Sequence, residues 1–67
     1  MEEFKKRLLE ELTELSDRLL KLNTALVSSG FEGKVGKTQY DLMLAQSSAM
    51  IDYKIALESI IADLGIN

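Results

Sequence analysis

The stretch Leu8-Leu9-Glu10-Glu11-Leu12-Thr13-Glu14-Leu15-Ser16-Asp17-Arg18-Leu19-Leu20-Lys21-Leu22-Asn23-Thr24-Ala25-Leu26 decides the fold. Leu8, Leu12, Leu15, Leu19, Leu22 and Leu26 follow one another at alternating spacings of four and three. That period of 3.5 keeps one apolar seam on one side of an α-helix. Glu10, Glu14, Asp17 and Lys21 fall on the opposite side, and Glu14 precedes Arg18 by four residues, the favourable order for an intrahelical ion pair. The pattern predicts a helix over about 3–27.

Downstream, Ser28-Ser29-Gly30-Phe31-Glu32-Gly33-Lys34-Val35-Gly36-Lys37 breaks the periodicity. Three glycines within seven residues disfavour a continuous helix, and Gly30 suits the left-handed position that closes one. The segment 28–37 therefore reads as a glycine-rich loop, with Phe31 and Val35 tucked in to anchor it. Thr38-Gln39-Tyr40-Asp41 resembles a capping box, in which the Thr38 hydroxyl accepts from the first turn and Asp41 reaches back. A second helix is predicted over about 39–64, with Gly65 as its stop.

The second helix has a first stripe at Met43, Gln46, Met50, Tyr53, Leu57, Ile60 and Leu64, with Gln46 as a polar exception that can fix register. Met43 and Met50 read as gap-fillers, and Tyr53 as a core ring whose hydroxyl reaches a boundary partner. A further stripe holds Leu44, Ile51, Ile55 and Ala62, and the first helix has a weaker one at Leu9, Leu20 and Val27. A two-helix hairpin covers one stripe per helix, and helices apolar on more than one face are buried on more than one face. The expectation is an all-α protein: one domain over residues 1–67, an antiparallel two-helix hairpin assembling into a helical-bundle homo-oligomer. Leu44, Ile51 and Ile55 are its expected interface.

Composition narrows the chemistry. The 67 residues include no Cys, His, Pro or Trp, so disulfides, thiolate or imidazole metal sites and a histidine base are all unavailable. No cofactor and no metal site is expected, and no pair of carboxylates stands together on an apolar face. Ser28-Ser29 and Ser47-Ser48 have no base nearby, so the protein is not expected to be an enzyme. The net charge of −3 argues against a general DNA or RNA binder, which needs a basic face. The charged opening Met1-Glu2-Glu3-Phe4-Lys5-Lys6-Arg7 leads into no apolar signal region, and no apolar run approaches the ~20 residues of a membrane span. A cytoplasmic protein is expected.

The loop carries the remaining chemistry. Gly36-Lys37-Thr38 ends like a phosphate-binding loop, but the residue five before Gly36 is Phe31, where that motif needs glycine, and no strand precedes it. Without that motif, Lys34, Gly36, Lys37 and Thr38 can still hold an anion with the free amides at the start of the second helix. Phe31 and Tyr40 offer a stacking surface beside them. Arg7 and Arg18 are candidates to close such a site from a neighbouring copy.

Two segments carry a family resemblance. Glu14-Leu15-x-x-Arg18-Leu19-x-Lys21-Leu22 and Gln46-x-x-Ala49-Met50-x-x-Tyr53-x-x-x-Leu57 resemble the two helices of a small helical family of bacteriophages and prophages, first labelled from a crAss-like gut phage. The layout is also similar to that of phage proteins that counter CBASS and Thoeris defence by sequestering cyclic oligonucleotide or cyclic ADP-ribose signals. The resemblance implies a phage-encoded anti-defence accessory protein acting in the host cytoplasm. It would assemble with itself and hold a cyclic nucleotide or cyclic ADP-ribose signal without catalysis. The other reading is an interaction module that docks a helical face on a host or phage protein. The first needs Lys34, Lys37 or Thr38; the second needs Leu44, Ile51 and Ile55 left open.

Overall fold

The computed structural model describes residues 2–65, and these are all-helical: α1 (Glu2–Leu26), α2 (Phe31–Val35) and α3 (Lys37–Leu64). At a rise of ~1.5 Å per residue, α1 and α3 are about 38 and 42 Å long. The molecule measures 47 × 15 × 14 Å, so the two long helices lie side by side. Their direction follows from three hydrogen bonds. Tyr40 Oη donates to the Leu26 carbonyl at 3.1 Å, Ser47 Oγ to Asn23 Oδ1 at 2.6 Å, and Tyr53 Oη to the Glu11 carboxylate at 2.6 Å. As the α3 position rises the α1 position falls, so α3 retraces α1 in the opposite sense.

Along α1, Leu15, Leu19 and Leu26 are buried, with Leu8, Leu12 and Leu22 partly so, on the seam their spacing predicts. The α3 seam differs from the expected stripe at every second position. Ser47, Leu57 and Ile61 are buried, and Met43, Met50, Lys54 and Leu64 are partly covered. Gln46, Tyr53 and Ile60 face outward instead. The spacing three-four and the spacing four-three both satisfy a heptad through Met43, Met50, Leu57 and Leu64, and α3 carries apolar residues on either side of that line. Ser47 settles the choice: its hydroxyl meets Asn23 inside the pair, so both polar groups are satisfied where they are covered. Gln46 is therefore not the polar member of the seam. The Lys54 stem lies along it, as a long aliphatic chain can while its ammonium stays wet.

The connection is more ordered than a loop. Residues 31–35 form the single turn and a half of α2, flanked by Gly30 at φ 80° and Gly36 at φ 92°, ψ 155°. The second of these conformations is essentially reserved for glycine. Gly30 thus opens α2 rather than closing α1, whose last turn ends with Ser28 N–H on the Ala25 carbonyl at 3.1 Å. Because Gly36 turns the chain directly into α3, Gly36 is the N-cap, and no side chain caps the helix. Thr38 sits inside the first turn, and Asp41 pairs with Lys37 rather than reaching back. Gly65 ends α3, its N–H on the Ala62 and Ile61 carbonyls.

Two outcomes are expected. Ile61→Ala removes a side chain that is 7% exposed and lowers unfolding free energy by ~2–4 kcal/mol, whereas Ile60→Ala, at 45% exposed, costs under ~1 kcal/mol. Denaturant titration of the two variants reads the register directly. The Glu11 hydrogen bond, reinforced by desolvation and the nearby negative charge, holds the Tyr53 phenol above its ordinary pKa. A pKa raised by folding favours the folded state below the phenol's unfolded pKa, and the benefit disappears as pH rises through the folded one. Tyrosinate absorbance during alkaline titration is expected to show one transition shifted to lower pH in Glu11→Gln.

Candidate functional site

The site proposed from sequence lies at the turn end of the helix pair. Its geometry begins with Tyr40. This ring hydrogen-bonds the last carbonyl of α1 and packs on Phe31, with centroids 6.5 Å apart and planes tilted by 57°. That arrangement is a favourable aromatic pair, and both rings are half-buried. Phe31 and Val35 anchor α2 as their apolar character predicts. The two rings spend part of their surface on each other, so the stacking face they leave is smaller than two free rings provide.

Next come the amides. Gly36 N–H donates to the Glu32 carbonyl at 2.8 Å, and Tyr40 N–H to the Gly36 carbonyl at 2.9 Å. Between them, the N–H groups of Lys37, Thr38 and Gln39 have no backbone acceptor, as at any uncapped helix start. They point out of the turn end along the positive pole of α3. The Thr38 hydroxyl and the exposed Lys34 side chain stand at the same end of the molecule.

The charge here is balanced rather than basic, because Glu32 and Asp41 accompany Lys34 and Lys37. Lys37 Nζ lies 3.1 Å from the Asp41 carboxylate. That hydrogen bond and the Asp41 charge raise the Lys37 pKa, with a smaller contribution from Glu32 and a small opposing one from desolvation. The i, i+4 spacing of Lys37 and Asp41 was the sequence signal for this pair. Any anion at Lys37 competes with Asp41, while Lys34 is in no ion pair among the described residues.

Phe31, Lys34, Gly36, Lys37, Thr38 and Tyr40 are thus brought together. The two arginines are not. Arg18 lies 3.2 Å from Glu14 on α1. Arg7 precedes Leu26 by nineteen residues, about 29 Å of helix from the turn. Neither reaches the turn end within one chain. A shallow depression of about 440 Å³ is lined by Lys6, Leu9, Glu10, Thr13 and Glu14, all from α1, and lies well away from the turn. Among the described residues no cluster of three acidic side chains is placed to hold a metal ion, and no helix is long and apolar enough to cross a membrane.

Comparison with curated proteins and with solved structures gives no match. A family model does match, over residues 2–59, which includes all of α1, the turn and most of α3. Both segments on which the sequence resemblance rests, 14–22 and 46–57, fall within it. The chain belongs to the Sequestin family.

Proposed function

We propose that this protein is a non-catalytic sequestering protein that captures a small phosphate-bearing signal of the cyclic nucleotide or cyclic ADP-ribose type and holds it intact. Membership of the Sequestin family carries the reading, since the family name denotes sequestration. The free amides of Lys37, Thr38 and Gln39 support it as directional donors to phosphate, with Lys34 and Lys37 adding charge. Phe31 and Tyr40 offer a partial stacking edge, and stacking contributes ~1–3 kcal/mol per base. In this reading the chain works as a homo-oligomeric helical bundle in the host cytoplasm, encoded by a phage. Leu44, Ile51 and Ile55 lie in its interface, and Arg7 or Arg18 completes the site only from another copy.

A second reading draws on one observation, the exposure of Leu44, Ile51 and Ile55. It makes the protein a module that docks this helical face on a host or phage protein, with the turn serving only to reverse the chain.

Calorimetry against cyclic di- and trinucleotides and cyclic ADP-ribose isomers separates the two. Micromolar binding that weakens with added salt is expected for the sequestering reading. Lys34→Ala with Lys37→Ala is expected to weaken it at least about tenfold, because charge-assisted hydrogen bonds contribute ~1.5–3 kcal/mol each. Helicity and assembly should not change, since Lys37–Asp41 is an exposed pair. Mass spectrometry of ligand released by denaturation should return the mass supplied. Absence of binding across the panel, or an unaffected double variant, gives the docking reading its place.

A further inference from the structure

The apolar residues that the helix pair leaves open are sorted by side. At ~100° per residue, Leu9 and Leu20 stand on α1 about opposite Glu11, across the seam. On α3, Leu44, Ile51 and Ile55 stand across the seam from Tyr53. Glu11 and Tyr53 touch each other, so they mark one side of the plane of the two helices. Leu9, Leu20, Leu44, Ile51 and Ile55 therefore share the other side. The Asn23–Ser47 bond, at positions close to Leu20 and Ile51 in angle, lies toward this same side.

Each helix carries a second heptad there. On α1 the positions 9, 13, 16, 20, 23 and 27 hold Leu, Thr, Ser, Leu, Asn and Val, with no charge. On α3 the positions 44, 48, 51, 55, 58 and 62 hold Leu, Ser, Ile, Ile, Glu and Ala, charged only at Glu58. Leu44, Ile51 and Ile55 are 45%, 42% and 56% exposed. The opposite side is different. Its α1 half presents Arg7, Glu14, Arg18 and Lys21, with Phe4 near the start of the helix, so most of its apolar residues, Leu42, Ala49, Ala56 and Ile60, lie on α3.

We propose that this apolar, sparsely charged side is the docking face for a second copy of this chain, applied through the same face so that two helix pairs form a four-helix bundle. Three observations select that occupant. A 3.5-residue repeat on both helices fits other helices lying nearly parallel to them. A face that is apolar, small-residue spaced and nearly uncharged is compatible with itself, as an isologous contact requires. The exposed area fits as well: the surface is 4951 Å², against about 4250 Å² for a compact monomer of this mass. The excess of about 700 Å² approaches the ~800 Å² that each partner contributes to a standard interface. The radius of gyration, 14.9 Å against about 11 Å for a compact chain of this length, shows the same excess as shape.

This inference rests on the self-assembly proposed above and adds the surface that makes it. Sedimentation velocity, with circular dichroism as the folding control, tests both. The parent is expected to be a dimer, or an even multiple of one, at micromolar concentration. Leu20→Glu with Ile51→Glu is expected to raise the dissociation constant at least about 100-fold while keeping helicity, since each change places an unpaired charge in a dry contact. Leu42→Glu with Ile60→Glu, on the opposite side, should assemble like the parent. Ser16→Cys should cross-link copies through a short bismaleimide, and Ala49→Cys should not, a readout that stands even if a charged variant unfolds. A monomeric parent overturns self-assembly and face together. An assembled parent that dissociates through Leu42 and Ile60, or cross-links through Ala49, overturns the face alone.

Discussion

Two helices share one line of contact, and that limit governs the rest of this molecule. The line admits Leu15, Leu19 and Leu26 from α1 and Ser47, Leu57 and Ile61 from α3, and little else is buried. Among the described residues, ten large apolar side chains stay exposed. A chain this small is short of buried surface in any fold. An elongated helix pair makes the shortage worse, because among the described residues each long helix has one long neighbour and the short α2 covers only the turn end. Most of the hydrophobic material in α3 is thus available for contacts outside the monomer.

Within so thin a core the polar contacts do the specifying. Among the described residues the four ion pairs are all i, i+4 pairs on exposed helix surface, so they support individual helices and leave the pairing of helices unspecified. The hydrogen bonds that cross between α1 and α3 among the described residues are Tyr40 to Leu26, Ser47 to Asn23 and Tyr53 to Glu11. Of these, Ser47 to Asn23 is the one inside the seam. Sliding α3 by one turn would leave a covered hydroxyl and a covered amide without partners, which costs more than an exposed pair returns. Register is thereby tied to one hydrogen bond among leucines.

The turn couples this pairing to the candidate site. Gly36 adopts a conformation that only glycine tolerates well, and it sends the chain into α3 with no side-chain cap. The same geometry leaves the amides of Lys37, Thr38 and Gln39 open, while Tyr40 fastens the first turn of α3 to the end of α1. Donors at the turn end are thus held by the fold rather than by a flexible loop, which lowers the ordering cost of any anion bound there. Assembly through the sparsely charged face would leave that end accessible, since the face runs along the helices and the amides point along their axis.

Local pattern determined the helices themselves. The leucine heptad of α1, the glycines of the turn and the stop at Gly65 are short-range features, so the all-α class, the α1 seam and the Glu14–Arg18 pair were readable from spacing alone. The grouping of Lys34, Lys37, Thr38, Tyr40 and Phe31 was readable too, because these residues are neighbours in the chain. Tertiary structure decided what spacing leaves degenerate. Two heptad frames pass through Met43, Met50, Leu57 and Leu64, and only the partner helix, through Asn23, selects Ser47 and Ile61 over Gln46 and Ile60. The removal of Arg7 and Arg18 from the turn end is likewise a matter of helix length and of Glu14. The side shared by Leu9, Leu20, Leu44, Ile51 and Ile55 exists only once α3 is laid against α1, because a helix has faces by itself but a common face requires two.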